Sequence, residues 1–279
     1  MRDNASRADN QQEMLKKSNF YFSGFMTGEM SCSIIKRTNH GHGYYYEPDI
    51  TVTNADVKLL EEVDRAVMNN RGLITPVKHA HNLSARGKEK VRTVLNFLEK
   101  YPIIIGDFAK NRVVIMRHAL MYLENHHGRV SEKTVEMEKL RKKLKELKFN
   151  GIIDKSFDLA VTDKDSLGYF FSGVVDGEGS FGTKSCGLQP YFAVAMKDKK
   201  IIETLCKFVG YGNVRVRKDK LSHLEINHRS VLKNVCDMFL YHYPLKHTRQ
   251  KERLTKLQQL LNDYTPKSLI PSLFSENMI

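Results

Sequence analysis

The chain has 279 residues and carries 45 Lys and Arg against 32 Asp and Glu, a formal net charge of +13. That length provides for two domains with a core each. No apolar run is long enough to cross a membrane, and the polar stretch Met1 to Lys17 has no signal-peptide core. The cationic excess suits a polyanion, DNA or RNA first, although charge by itself leaves room for a basic protein with no such partner. The cysteines Cys32, Cys186, Cys206 and Cys236 lack metal-ligand spacing. They are read as reduced thiols of an intracellular, reducing compartment, an organelle included.

In chain order, the apolar run from Phe20 predicts a helix ending near Gly28. Glu29 to Arg37 alternates, with Cys32 and Ile34 on one side and Ser31, Ser33 and Arg37 on the other, as a half-buried strand does. Gly41 and Gly43 mark a turn, and Tyr45 to Thr53 is the return strand. Asn54 is placed to cap a helix with the apolar face Leu59, Leu60, Val63, Ala66 and Val67. Leu73 to Arg86 reads as a second hairpin, Lys88 to Lys100 as a helix stopped by Pro102, and Phe108 to Leu123 as another helix. Ser131 to Lys148 is a charged connector helix with Val135, Met137, Leu140, Leu144 and Leu147 on one stripe.

The plan then recurs. Helix Ser166–Gly177 leads into strands Glu178–Ser185 and Tyr191–Lys197, and helix Lys199–Val209 follows. Strands Asn213–Lys218 and His223–Asn227 and helices Ser230–Tyr241 and His247–Asn262 complete the second half. The expected division is an extension over 1–18, a first domain over 19–130, a linker helix and connector over 131–164, a second domain over 165–265 and a tail over 266–279.

A repeated phrase ties the halves together. Phe20-Tyr21-Phe22-Ser23-Gly24-Phe25-Met26-Thr27-Gly28-Glu29 matches Phe170-Phe171-Ser172-Gly173-Val174-Val175-Asp176-Gly177-Glu178 in its aromatics, its Ser-Gly and its final Gly-Glu. Leu60 to Pro102 and Ile202 to Pro244 both span 42 residues. Ordered matches at equal spacing point to a duplicated domain. Two copies about a pseudo-twofold axis would bring Glu29 and Glu178 together, and paired carboxylates hold divalent metal. Gly24 and Gly173 are small enough for close helix approach, and Gly28 and Gly177 would let each helix turn sharply into its strand. The unpaired carbonyls and the dipole at each helix C-terminus also favour a cation.

These phrases resemble the LAGLIDADG motif of homing endonucleases, most closely at Ser172 to Phe181 (SGVVDGEGSF), and the similarity extends over roughly Asn19 to Asn262. The resemblance implies an α+β fold: two pseudo-symmetric αββαββα domains, each with an antiparallel sheet forming half of a DNA-binding saddle. It places the motif helices at the domain interface, with Glu29 and Glu178 (and Gly28 and Gly177 beside them) binding Mg2+, for which Mn2+ or Ca2+ can substitute in binding. The first copy departs from the pattern, with Thr27 where Asp is usual and Met30 where Gly is common.

Counting by twos puts Ser31, Ser33, Ile35 and Arg37, and Ser180, Gly182, Lys184 and Cys186, on the faces that would read DNA, with Thr51, Thr53, Lys197, Arg215 and Arg217 as further candidates. The family's basic residues after the Tyr-Pro-Leu stretch fall on Lys246 and Arg249 in the second half, whereas Gly106 and Asp107 stand at the counterparts of Thr248 and Arg249. Basic assistance to catalysis is therefore expected on one side only. Glu29 to Leu59 is longer than Glu178 to Ile201, the extra length lying around His40–Tyr46. The expectation is a monomeric, intron-encoded, site-specific double-strand DNA endonuclease with a long, asymmetric target and no membrane partner. An intron RNA maturase, with RNA as its partner, and a catalytically inactive DNA-binding protein of the same fold are the alternatives.

Overall fold

The computed structural model describes residues 12–39, 43–126, 131–150, 163–184 and 189–263. After a helical stretch over 12–18, the first half runs α1 (Phe20–Glu29), β1 (Met30–Asn39), β2 (Gly43–Asn54), α2 (Val57–Val67), β3 (Leu73–Val77), β4 (Ala80–Arg86), α3 (Lys88–Lys100) and α4 (Asp107–Asn125). Connector α5 (Ser131–Asn150) follows. The second half runs α6 (Lys164–Glu178), β5 (Gly179–Lys184), β6 (Gln189–Met196), α7 (Lys199–Val209), β7 (Asn213–Val216), β8 (Ser222–Ile226), α8 (Arg229–Asp237) and α9 (Thr248–Asn262). Instead of continuing to Tyr241 as an α-helix, α8 gives way to one π turn over Met238–His242.

Each half holds one antiparallel sheet, ordered β1-β2-β4-β3 or β5-β6-β8-β7. Alternation decides which face is covered. Ile34, Ile50, Val52, Leu83 and Ala85 are buried in the first sheet, as are Phe181, Phe192, Val194, Leu224 and Ile226 in the second. Amphipathic helices cover those faces, α2 through Leu59, Leu60, Val63 and Val67 and α7 through Ile201, Ile202 and Leu205. Connector α5 docks on the first half, where Arg141 Nε donates to the Ile34 carbonyl at 2.9 Å and Tyr46 Oη donates to Glu138 at 2.9 Å. Among the described residues no helix is long and apolar enough to cross a membrane.

The motif helices differ from this surface type. Residues Tyr21 to Thr27 of α1 and Phe170 to Asp176 of α6 are buried on every side, because each helix packs against the other as well as on its own sheet. A β-carbon on Gly24 would stand 1.9 Å from the Phe170 carbonyl oxygen, and one on Gly173 would stand 2.0 Å from that of Tyr21. Only glycine permits this approach of backbone to backbone.

A second reciprocal contact ties the halves. The Thr248 amide at the start of α9 donates to Asp56 Oδ2 at 2.7 Å, and the Phe108 amide at the start of α4 donates to Asp198 Oδ2 at 3.4 Å. Asp56 and Asp198 are the N-cap residues of α2 and α7. Each therefore stands at one helix start in its own half and serves a second one across the interface. The cap of α2 is Asp56, whose Oδ1 accepts from the Leu59 amide at 3.2 Å, and not Asn54. The physical reason is that β2 runs on through Asn54, whose side chain is turned inward.

Candidate active site and nucleic-acid interface

Both motif helices end on a glutamate, and the two glutamates meet. A β-carbon on Gly28 would lie 3.0 Å from Glu178 Cγ and Oε1, and one on Gly177 would lie 3.3 Å from Glu29 Cγ and 3.5 Å from its Oε1. Each carboxylate thus rests over the glycine of the opposite helix. Neither glycine has a positive φ, and each lies within its helix. The role expected for them, turning the helix end, falls instead to extended Met30 and Gly179, and the missing side chains make room for the glutamates.

Burial and the nearby Glu178 charge raise the Glu29 carboxyl to about 7, against which an Asn54 hydrogen bond acts. Burial also raises Glu178. Asn54 Nδ2 donates to Glu29 Oε1 at 3.3 Å, while its own Oδ1 accepts from the Asp56 amide at 2.9 Å, which fixes the amide with its donors toward the carboxylate. The strand registers place Met196 at the matching position of the second half. Glu178 has no such amide there. A cleft of about 310 Å³ opens on its side, lined by Thr27, Gly28, Arg112, Lys197 and Asp198 among others.

Two half-buried carboxylates, both pushed upward by burial and Glu29 also by the Glu178 charge, form an oxygen-rich place whose unmet need is positive charge. Hard divalent cations fit that donor set. Among the described residues no group of three or more His, Cys, Asp and Glu gathers as a closed metal cage. A cation here would rest on Glu29, Glu178 and the carbonyls of Gly28 and Gly177, and would keep open positions for water or a phosphate oxygen.

The open sheet faces flank this centre. In the first sheet Ser31, Thr51, Ser84 and Leu73 lie in one cross-strand row and Thr53, Asn82 and Thr75 in the next. Ser33 pairs with Asp49, which pairs in turn with Arg86, Ile35 pairs with Glu47, and Arg37 Nε donates to Glu47 Oε2 at 2.8 Å. In the second sheet Ser180, Ala193, Glu225 and Asn213 form the matching row. Tyr191 pairs with Gly182, and Arg215 with His223.

Neither a protein-family model nor a curated protein matches the sequence. Solved structures do. The LAGLIDADG homing endonuclease I-GzeII in complex with its DNA target superposes with a TM-score of 0.71 at 19% identity, over 88% of this chain and 89% of that one. The chain has the LAGLIDADG homing endonuclease fold. I-LtrWI of the same family, bound to target DNA, gives a TM-score of 0.73 at 17% identity, over 88% of this chain and 90% of that one. I-SmaMI, bound to uncleaved DNA in the presence of calcium ions, gives 0.72 at 18%, over 90% and 95%.

Within this LAGLIDADG fold the expected site residues fall into three groups. Glu29, Glu178, Gly28 and Gly177 come together at the helix ends, and Gly24 and Gly173 at the helix crossing. Ser31, Ser33, Ile35, Arg37, Thr51, Thr53, Ser180, Gly182, Lys184 and Arg215 share the open faces. Lys197 lies just beyond β6, on the cleft with Glu178. Arg217 is beyond β7, in an exposed turn on Asp219 at 3.0 Å, and Cys186 and the tip of the first hairpin lie outside the described residues.

Lys246 is placed differently from expectation. Its ammonium reaches Glu62 of the first half at 2.8 Å and lies over the rings of Tyr21 and Phe22, because the 244–248 loop crosses to that half. It is an interface residue rather than a neighbour of the carboxylate pair. Arg249 is exposed at the rim beside Ala55 and Asp56. Sequence reading passed over Asn54 as a site residue, along with Asn82, Ser84, Arg86, Tyr191 and Glu225. Asn54 has the inward parity of Ile50 and Val52, which was a usable signal. The others depend on which strands are neighbours.

Proposed function

We propose that the chain is a site-specific double-strand DNA endonuclease that works as a single chain and needs a divalent cation, Mg2+ first, at Glu29 and Glu178. The observation that carries this reading is the reciprocal seating of the two carboxylates on opposite glycines, between two sheets with polar, open faces. Proteins sharing the fold have been seen in complex with DNA targets and, in one case, in the presence of calcium ions.

The division of labour follows from the side chains. Glu29 and Glu178 would hold the cation, and Asn54 keeps the Glu29 carboxylate in one orientation. The chemistry such a cation would supply there is polarisation of a phosphodiester oxygen and a more acidic water. The glycine-permitted helix contact keeps the two carboxylates together, so that one centre serves both halves. The open faces supply hydroxyls, amides and cations to base edges and phosphates.

The test is incubation of the chain with a duplex DNA library and Mg2+, followed by sequencing of the cut ends. Glu29→Gln and Glu178→Gln are expected to bind the selected sequence and leave it uncut. Cutting at the parental rate by either variant would overturn the shared centre. Binding of structured intron RNA with every DNA left intact would favour a maturase.

A further inference from the structure

Glu225 is the hub of a charged cluster on the open face of the second sheet. Its Oε1 accepts from the Lys184 ammonium and from Asn227 Nδ2 at 3.2 Å, and its Oε2 accepts from Arg215 Nη2 at 2.9 Å. The His223 ring stands 3.9 Å from Oε2. Lys184 comes from the far edge of the sheet and passes over the Tyr191 ring at 4.9 Å, and Ala193, the β6 partner of Glu225, is small. The glutamate side chain is 13% exposed, against 43% for Lys184 and 66% for Arg215. The carboxylate is the floor of the cluster and the two cations are its outer surface.

The first sheet also carries carboxylates on its open face, Glu47 accepting from Arg37 Nε at 2.8 Å and Asp49 lying 3.5 Å from Arg86 Nε, but none at the register position of Glu225. By register the counterparts of Glu225, Lys184 and Arg215 are Ser84, Ile35 and Thr75. At that place Thr51 and Ser84 share a neutral hydrogen bond at 3.2 Å.

A carboxylate is a poor choice for a surface that only has to hold phosphates, since it repels them and uses up two cations. It is a good choice for a surface that has to discriminate. Free Lys and Arg side chains swing to any phosphate, whereas cations anchored on Glu225 keep fixed directions. Leaving it for a phosphate would strand a carboxylate beside the DNA backbone. Guanine, with O6 and N7 on its major-groove edge, meets such anchored donors without that penalty. We propose that Glu225 is a specificity-determining positioning residue. It fixes Lys184 and Arg215 as donors to guanine in the second half of the DNA target and lowers affinity for other sequences. This rests on the endonuclease reading above.

The test is selection of randomised duplex DNA by the full chain in EDTA, so that nothing is cut, with wild type, Glu225→Gln and Arg215→Met in parallel. Wild type is expected to select guanine at one or more positions on the side bound by the second sheet. Glu225→Gln, which keeps the shape, should lose that preference roughly tenfold or more. It should keep the profile of the other side and bind random-sequence duplex several-fold tighter. Arg215→Met should lose both the preference and some general affinity. The combination of tighter binding and weaker discrimination is what a merely structural role would not produce. An unchanged Glu225→Gln profile, or a uniform loss of affinity for all sequences, overturns the inference alone. Failure of the wild type to select any sequence overturns the endonuclease reading and this inference with it.

Discussion

Glu178 lies across Gly28, its Cγ and Oε1 each 3.0 Å from where a β-carbon on that glycine would stand. The neighbour is the far part of a flexible side chain, so it can yield where backbone could not. Gly28→Ala should therefore push Glu178 aside while leaving the fold intact. Alanine is favoured over glycine inside a helix by roughly 0.5–1 kcal/mol. The variant should melt no lower than the parent, yet cut on the order of a hundredfold more slowly. Thermal denaturation and a cleavage time course decide the matter together. Undiminished cleavage would mean that the cradle does not set the carboxylate.

Gly24→Ala should behave in the opposite way. Its β-carbon would stand 1.9 Å from the Phe170 carbonyl oxygen, which belongs to backbone and cannot swing away. Separating the two motif helices opens the buried interface, at a cost of about 3 kcal/mol or more. The check is the urea midpoint of Gly24→Ala beside that of Gly28→Ala. Similar midpoints for the two would contradict the crossing geometry.

A pH dependence follows from Glu29, which burial and Glu178 raise from 4.5 to about 7. Between those values the folded chain holds a proton that the unfolded chain has released. Stability without metal should therefore fall as pH rises through that window. A cation at the site competes with the same proton, so its stabilisation should grow over the same range. Melting temperatures with and without Mg2+, from about pH 5 to about pH 8, should diverge as pH rises. Glu29→Gln should abolish most of the divergence, and Asn54→Ala, which removes a donor to the ionised form, should move it to higher pH. A gap that does not vary with pH would exclude metal binding at Glu29.

The formal charge of +13 makes salt a further probe. With several phosphates contacted, affinity for duplex DNA should drop by roughly a thousandfold or more between ~50 and ~200 mM salt. Fluorescence anisotropy at graded salt measures the slope. A flat response would be incompatible with backbone contacts along both sheets.

How legible all this was in the sequence varies with the range of the interaction. The repeat exposed the two halves, the motif helices and the Glu29 and Glu178 pair, because a duplicated phrase implies its own symmetry. Local rules also placed α3 and α7 to the residue. Interactions between distant segments were less readable. Asn54 looked like a cap for α2, since Asn before an apolar run is a common cap, but it serves Glu29 while Asp56 caps. Lys246 looked like a catalytic cation because nothing in its own segment reveals Glu62 across the interface. Gly28 and Gly177 were read as places where each helix turns into its strand, a local role, whereas the space they leave is taken by the glutamate of the opposite helix. The row through Ser84 and Glu225 needed the order β1-β2-β4-β3 and β5-β6-β8-β7, in which sequence neighbours are not always sheet neighbours.

The unequal hairpins carry a metrical consequence. Strand β1 has ten residues and its counterpart β5 has six. A strand advances about 3.4 Å per residue, so the first ribbon outreaches the second by about 14 Å. Stacked base pairs advance by about the same step along the duplex. Protein ladder and nucleic-acid stack are thus nearly commensurate rulers, and the four extra rungs convert to at most about four more base pairs on the first side. A hydroxyl-radical footprint of the bound duplex should therefore be lopsided about the cleavage position, with its longer arm on the side opposite the guanines attributed to Arg215 and Lys184.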